Sequence, residues 1–301
     1  MVHLIIGHRT IYRYQEPVQL GPHRLMLRPR ESSELKILRS TLTVSPDAAV
    51  TWGQDVAGNV VATAAFLLPS VTERLVIDCS TEVELSAPEW PVFDIAASAI
   101  SFPFRYSDDE WTDLGALAVP QHADPEGRLA SWAQSFVLSN PTDTLSLLKD
   151  LNAGISAWIF YQSRDDEGTQ APLETLARGW GSCRDIAVLM IEAARSLGFG
   201  ARIVSGYLYV PDDLGNFVAG SSGNGSTHAW VEIYVPGAGW ITFDPTNRAV
   251  GNFHLVPVAT APDIDQVIPV SGSFTGFPSD FLGMNVEVAV TRMDGQSLNG
   301  L

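Results

Sequence analysis

The sequence predicts an α+β protein with two parts: an N-terminal β-sandwich, then a domain that begins with helices and ends with antiparallel strands. Apolar and polar residues alternate with a period of two in the first part, whereas apolar residues recur at helical spacing after Pro125. The length of 301 residues fits two domains better than one. We therefore divide the chain into a β-domain at residues 1–115 and a second domain at residues 116–301, which includes a C-terminal β segment.

Strand patterns in the first domain are clearest between Val71 and Leu85, where apolar residues occupy one face and charged or hydroxyl residues the other. Similar runs occur at His3–Tyr14, Leu35–Val44 and Asn59–Leu67. Several short strands of this kind indicate a small sandwich. Cys79 lies on the apolar face of its strand, so we expect an inert, buried thiol.

Helical spacing begins at Leu129 and continues in a second helix for which Thr142 is the expected N-cap residue. The segment Ser86–Pro125 before it is rich in proline and is predicted to be an irregular connection. A third helix is predicted from about Ser182 to Leu197, with Gly198 just after its end.

Three strands are predicted after the helices, at Ala201–Val210, Thr227–Val235 and Trp240–Phe243. The polar, glycine-rich stretch Asp212–Ser226 is predicted to be a long loop between the first two. Because long loops are often functional and this one leads into His228, we expect it to border the active-site cleft. The sequence does not tell whether it gates that site.

Charge and composition exclude several classes of partner. The chain carries 34 acidic and 18 basic residues, a net charge of -16, which argues against nucleic acid and anionic membranes. Two cysteines exclude a disulfide scaffold and a four-cysteine zinc site, and we expect no cofactor or metal. The first residues lack the features of a signal peptide, and no run of 18 apolar residues occurs, so we expect a cytoplasmic protein. The oligomeric state stays open.

Cys183 is the first residue with chemical potential, because it falls where the third helix begins. The positive end of a helix dipole favours a thiolate. From its position alone, a reactive thiol and an inert one are about equally expected. His228 starts a strand after the glycine-rich loop, and Asp244 ends the next strand.

The two strands that carry His228 and Asp244 should form a hairpin. Opposed residues in a hairpin have a constant sum of residue numbers. A loop of three or five residues gives a sum of 474 and puts His228 and Asp244 on one face, about 7–8 Å apart. A four-residue loop would put them on opposite faces. The hypothesis that they act together therefore requires an odd loop or a bulge.

Four motifs, taken in order, resemble the transglutaminase-like superfamily. They are Gly-Ser-Cys-Arg-Asp at 181–185, Ser-Gly-Tyr at 205–207, Thr-His-Ala-Trp-Val-Glu at 227–232 and Gly-Trp-Ile-Thr-Phe-Asp-Pro-Thr-Asn at 239–247. The segment Leu-Gly-Pro-His-Arg-Leu-Met-Leu-Arg-Pro-Arg at 20–30 is similar to the N-terminal region of the bacterial branch. The resemblance implies a β-domain in front of a papain-like, transglutaminase-like core.

This resemblance also implies a catalytic triad of Cys183, His228 and Asp244. Cys183 would attack a carbonyl and form a thioester, His228 would carry the proton, and Asp244 would hold the imidazole. The main-chain N–H of Cys183 would meet the oxyanion. Trp180 and Ser182 are further oxyanion or cleft candidates.

Other residues near these motifs are expected to lie outside the triad. We expect Arg184 and Asp185 to form a salt-bridged first helical turn rather than to take part in chemistry. Relatives usually carry an Arg where Pro262 stands here, which puts substrate contacts on that side in doubt. For His254 a structural role is favoured over a catalytic one.

The predicted activity is cysteine-dependent acyl transfer on the amide bonds of a peptide or protein substrate, most simply hydrolysis by a peptidase or amidase. A protein-glutamine transglutaminase shares the triad and differs only in the second nucleophile. A non-catalytic binding or scaffold protein is the third alternative. The sequence leaves the substrate and the role of the N-terminal domain open.

Overall fold

The computed structural model describes residues 1–67, 71–164, 168–210 and 225–293. In chain order, strands β1 to β18 span Val2–Leu20, His23–Leu25, Leu35–Ser45, Ala48–Gln54, Val60–Phe66, Thr72–Leu85, Ser101–Phe102, Thr142–Asp143, Phe160–Tyr161, Trp180–Gly181, Gly200–Tyr209, Gly225–Val235, Gly239–Asp244, Ala249–Val250, Leu255–Ala261, Val270–Ser271, Phe274–Thr275 and Phe281–Arg292. Helices α1 to α5 span Asp108–Leu114, Arg128–Gln134, Thr144–Trp158, Pro172–Arg178 and Cys183–Ser196. Short 3-10 turns cover Gly115–Ala118, Ile264–Val267 and Pro278–Asp280.

The predicted N-terminal sandwich is confirmed. One antiparallel sheet has the order β17-β1-β6-β3, with β18 also paired to β1, and the other has the order β16-β2-β5-β4. Their facing side chains form a closed core that includes Leu25, Ala64, Leu75, Ile77 and Cys79. Burying an aliphatic side chain of this size stabilises the fold by about 1.5–3 kcal/mol, which is why the alternating pattern in β6 predicts which of its faces is buried.

The C-terminal strand β18 pairs with β1 of the sandwich, from Leu4↔Arg292 to Tyr14↔Phe281. Strand β17 also pairs with β1. The sequence-based division assigned this segment to the second domain, but its pairing places it in the sheet of the first. Edge strands of this kind find their partner through long-range packing, which local alternation does not reveal.

One hydrophobic core joins the two parts of the chain. Leu4, Ile6 and Val290 from the sandwich lie in the same buried cluster as Ile186 of α5 and Ile233 of β12. Val290 is fully buried and packs against Gly225, where a Cβ atom would overlap its side chain. The boundary at residue 115 therefore does not separate two independent cores.

The second domain is an antiparallel sheet of order β14-β13-β12-β11-β15, with α5 packed on one face. The structure confirms a helix near each predicted position, although Asp143, not Thr142, caps α3 by accepting from the Ser146 N–H. Helix α4 was not predicted. It ends at Arg178 and is followed by the C-cap residue Gly179, where φ is +71°.

The connection predicted to be irregular also holds a helix. Helix α1 begins with a reciprocal capping interaction between Ser107 and Glu110. Tyr106 donates to the carbonyl of Tyr234 at 2.8 Å and accepts from the Gly200 N–H at 3.0 Å, which fastens this connection to the sheet.

Two expectations, on the glycine-rich loop and on membrane-spanning helices, can be compared only with the described residues. Most of the predicted loop Asp212–Ser226 lies outside the described residues, and its last two positions begin β12. No helix within the described ranges is long and apolar enough to cross a membrane.

Candidate active site

Helix α5 begins at Cys183, as the sequence predicted. Ser182 is its N-cap residue, with an extended backbone, and Asp185 completes a capping box. The thiol therefore lies in the first helical turn, where the main-chain N–H groups have no intrahelical partner and the helix dipole is positive.

The carboxylate of Asp185 anchors the segment around the nucleophile. It is fully buried and accepts the N–H and hydroxyl of Ser182 at 2.8 and 2.7 Å and the N–H of Gln170 at 2.8 Å. Arg164 forms a salt bridge with it at 3.3 Å. The expectation of a salt-bridged first turn holds for Asp185. Both donors of Ser182 are used in capping, and its oxyanion or cleft role stays a prediction.

The hairpin between β12 and β13 has a loop with an odd number of residues, which is what a shared face for His228 and Asp244 requires. Its loop has three residues, and the pairs Val231↔Phe243 and Val235↔Gly239 both sum to 474. Gly237 in this loop has φ +85°, and a side chain there would clash with the backbone at Ala96. The short loop therefore brings His228 and Asp244 to one face of the sheet.

His228 and Asp244 are in direct contact. Nε2 of His228 lies 2.8 Å from Oδ2 of Asp244, and both side chains are almost completely buried. Since a carboxylate only accepts, Nε2 carries the proton. The other ring nitrogen, Nδ1, is left for the hydrogen bond between His228 and the Cys183 thiol. The structure thus brings the three predicted triad residues together, with His228 between Cys183 and Asp244.

Asn247 is a fourth member of this network that the sequence reasoning did not assign. Its side-chain amide donates to Asp244 Oδ2 at 2.7 Å and its main-chain N–H to Oδ1 at 3.2 Å. The N–H of Thr246 donates to Oδ1 at 3.0 Å. The signal was available in Asp-Pro-Thr-Asn, because an Asp before Pro in a turn commonly accepts from the following N–H groups.

The electrostatics of the site favour charge separation between thiol and imidazole. Burial alone would lower the pKa of His228, but the charge and hydrogen bond of Asp244 raise that pKa from 6.5 to about 10. Burial would likewise raise the pKa of Cys183, but the hydrogen bond and charge of His228 and the N–H of Ala229 lower it. Burial opposes ionisation of Asp244, and its donors hold its pKa below the ordinary value. A thiolate–imidazolium pair is the form that this arrangement stabilises.

Two further side chains define the surroundings of the triad. Trp230 is fully buried and stacks on the His228 ring, with centroids 5.9 Å apart and planes 27° apart. Cys79 offers the expected contrast, because it is buried in the sandwich core and burial raises the pKa of its thiol. The two cysteines therefore differ in both location and expected reactivity.

Trp180 and His254 are the other residues that the sequence analysis singled out, and they are considered relative to Cys183 and Asp244. Trp180 is half-buried, three residues before Cys183, with the Arg178 guanidinium 5.3 Å from its ring centroid. Its oxyanion role stays a prediction, as does that of the Cys183 N–H. His254 lies on the wall of a cleft next to Asp244. Among the described residues, no group of three or more His, Cys, Asp or Glu side chains is arranged to hold a metal ion.

A nucleophile at a helix N-terminus, a buried imidazole in contact with it and a carboxylate behind that imidazole are the parts needed for acyl transfer. The thiolate can attack a carbonyl carbon. The imidazolium can then give its proton to the departing group.

Comparison with known proteins agrees with this arrangement. Residues 4–84 match the family model described as the bacterial transglutaminase-like N-terminal region, and residues 130–245 match that of the transglutaminase-like superfamily. The second match includes all three triad positions.

One relative and one solved structure are similar to this chain over most of its length, and a second relative over a short part of it. The uncharacterized protein ML0607 of Mycobacterium leprae is 25% identical over 291 residues, which cover 94% of this chain and 97% of that protein. YebA of Bacillus subtilis, also uncharacterized, is 36% identical over 74 residues, 22% of this chain and 9% of that one. The crystal structure of a proposed cysteine protease from Cytophaga hutchinsonii superposes with a TM-score of 0.72 at 20% identity, covering 98% of this chain and 91% of the other.

These similarities and the motif order lead to one assignment of family. The chain belongs to the transglutaminase-like superfamily, with the bacterial N-terminal region in front of the core domain.

Proposed function

We propose that this protein is a thiol hydrolase, a peptidase or amidase, that cleaves amide bonds in a peptide or protein substrate through a thioester on Cys183. The observation that carries the proposal is the contact chain from the Cys183 thiol through His228 to Asp244, with 2.8 Å between the His228 and Asp244 atoms. A scaffold protein has no need for a buried imidazole held between a thiol and a carboxylate.

The proposed reaction has two steps. The Cys183 thiolate attacks the substrate carbonyl, the C–N bond breaks, and His228 gives its proton to the departing amine. Water then attacks the thioester carbonyl, His228 takes a proton from that water, and the acid leaves as the thiol is restored. Asp244 keeps the imidazole oriented and stabilises its cation in both steps.

Amine transfer is the alternative outcome of the second step, because the same thioester can react with a primary amine. The two lysines of this chain, Lys36 and Lys149, make it a poor acceptor for its own thioester. Family membership favours hydrolysis only by analogy. The partition of the thioester between water and an amine therefore decides between hydrolase and transglutaminase.

The test uses p-nitrophenyl acetate, which acylates reactive thiols without knowledge of the natural substrate. We expect a burst of p-nitrophenol equal to the enzyme concentration and an acetyl group on Cys183 by peptide mass spectrometry. Turnover should release acetate, and added primary amine should divert little of it. No acetylation of Cys183 in the folded protein would support the scaffold reading, and dominant capture by amine would support a transglutaminase.

A matched pair of variants checks where the acetyl group goes. Cys183→Ala should abolish the burst, whereas Cys79→Ala should leave it intact, because Cys79 lies in the sandwich core. A burst that survives Cys183→Ala would overturn the assignment of the nucleophile.

A further inference from the structure

Trp230 lies two residues after His228 on β12, so the two side chains point to the same face of the sheet. This is not the face that packs on α5, because Ala229 and Val231 on either side of Trp230 belong to the core that includes that helix. The indole instead lies in a smaller buried cluster with Val204, Leu208 and Leu255. Its position is therefore fixed by packing on the face that carries the catalytic imidazole.

Gly206 provides the space that this ring occupies. It is paired directly with His228 across β11 and β12. A Cβ atom at Gly206 would lie 2.7 Å from Cη2 of Trp230 and would also overlap the main-chain carbonyl of Val256. The indole therefore extends across the strands over Gly206 to a position beside the imidazole. The glycine of the Ser-Gly-Tyr motif at 205–207 is what permits this approach.

The indole contacts a part of the His228 ring that the triad does not use. The two ring centroids are 5.9 Å apart and the ring planes are 27° apart, so the rings are stacked. Cys183 and Asp244 contact the nitrogen atoms at the edge of the imidazole. His228 is thus held by two hydrogen-bonded neighbours at its edge and by Trp230 against one face.

The indole N–H of Trp230 does not explain why this residue is a tryptophan. It is buried and has no hydrogen-bond partner among the residues that the structure describes. An unpaired buried donor destabilises the fold, and an aliphatic side chain or phenylalanine would fill an apolar site without that cost. The feature that tryptophan adds is its ring face, which attracts a cation more strongly than that of any other side chain.

His228 is the cation that meets this face. The triad favours a thiolate–imidazolium pair, so the imidazole carries a positive charge in the reactive form. Its centroid lies within the distance of about 6 Å at which a ring face attracts a cation. Both side chains are almost completely buried, and the attraction is therefore not screened by water.

We propose that Trp230 is a positioning residue of the triad: the face of its indole stabilises the imidazolium of His228 and thereby favours the thiolate of Cys183. Gly206 is required because it lets the indole reach the imidazole. The consequence for catalysis rests on the proposed thioester chemistry, whereas the stacking contact itself can be tested without any substrate.

The experiment changes the charge distribution of the ring and scarcely changes its size. Trp230 is replaced, by site-specific incorporation, with tryptophan that carries one, two or three fluorine atoms on its six-membered ring. Each fluorine withdraws electron density from the ring face. The protonation of His228 is followed by nuclear magnetic resonance of its Cε1 carbon from pH 6 to 12, and the signal is identified by its absence in His228→Gln.

We expect the acid dissociation constant of the His228 imidazolium to rise stepwise with each fluorine, by about tenfold for the trifluorinated ring. Trp230→Phe, which has a weaker ring face and no N–H group, should change this constant in the same direction. The same fluorinated residues at Trp240 are the matched control, because that ring lies on the neighbouring strand with the Arg202 guanidinium 4.0 Å from its centroid. Fluorination there should leave the titration of His228 unchanged.

An identical titration of His228 in all the fluorinated proteins would overturn the inference, and so would an equal change for the Trp240 series. Circular dichroism of each protein checks that it is folded. The p-nitrophenol burst is measured on the same samples. A missing burst in the unsubstituted protein, together with a titration that responds to fluorine, would contradict the proposed function and still support the contact between Trp230 and His228.

Discussion

The side-chain amide of Asn247 donates to Asp244 Oδ2 at 2.7 Å, on the same oxygen that accepts Nε2–H of His228 at 2.8 Å. Two donors therefore share one carboxylate oxygen, while main-chain N–H groups occupy the other. Asn247 fixes the plane of the carboxylate and draws part of its negative charge away from the imidazole. It is a positioning residue that acts on His228 through Asp244.

Replacing Asn247 by Ala should change both the rate and its pH dependence. We expect alkylation of Cys183 to slow by about tenfold, because the carboxylate loses an orienting donor. The alkaline limb of the pH profile should move to higher pH, because the freed carboxylate binds the imidazolium more strongly. Alkylation rates measured from pH 5 to 11 give both quantities. Asn285→Ala is the control, since Asn285 is exposed and donates to Glu287. A slower rate with an unmoved limb would mean that Asn247 is merely structural.

Asp244→Asn should lower the acylation rate nearly as much as Asp244→Ala. Both oxygens of Asp244 face N–H donors, so either orientation of an asparagine side chain sets its NH2 group against two donors. We expect a loss of about 100-fold or more in the acylation rate for both variants, measured by the p-nitrophenol burst. An Asn variant that keeps half of the original rate would show that the donors around this position rearrange easily.

Removal of His228 should reveal how far the imidazole activates the thiol. The pKa of Cys183 lies below its ordinary value and that of His228 is raised to about 10, so the ion pair exists between these two values. It is lost as the pH falls through the lowered thiol pKa or rises through about 10. Without His228, burial raises the thiol pKa. An ordinary thiol is only about 0.3% ionised at pH 6, so we expect alkylation of His228→Ala at that pH to be about 100-fold slower.

Cys79 provides the internal reference for this measurement. Its thiol is buried and its pKa is raised, so it should label slowly in both proteins. Equal labelling rates for Cys183 before and after the substitution would show that the imidazole does not activate this thiol.

The three triad candidates could be placed because their positions depend on local signals, and the resemblance of their motifs to one family grouped them. The position of Cys183 depends on a helix start, and the face shared by His228 and Asp244 depends on the length of one short loop. The network around Asp185 depends on Arg164 and Gln170, which lie 21 and 15 residues before it and are not part of its helix. The capping role of Ser182 was missed for a similar reason. A hydroxyl before a helix is compatible with both cap and cleft, and the position of Asp185 shows the cap.

The pairing of the last strand could not be read from its pattern. Strand β18 carries mostly exposed side chains, so its alternation is weak, and its partner β1 is more than 250 residues away. Long-range pairing is decided by the few side chains that enter the core. Val290 is the clearest of these, being fully buried beside Gly225 at the start of the strand that bears His228.

Val290→Asp tests whether the sandwich and the core domain unfold together. A carboxylate at this position would be buried without a partner in the shared cluster, which costs several kcal/mol, on the order of 3–5. Val286→Asp is the matched control on the same strand, where the side chain is exposed and a change within about 0.5 kcal/mol is expected. Alkylation of Cys79, which is buried in the sandwich core, and of Cys183, measured at each urea concentration, reports on the two parts separately. Because the core is continuous, we expect Val290→Asp to lower the midpoint of both signals equally. Exposure of Cys79 at lower urea than the loss of Cys183 reactivity would show that the second domain is stable without the C-terminal strand.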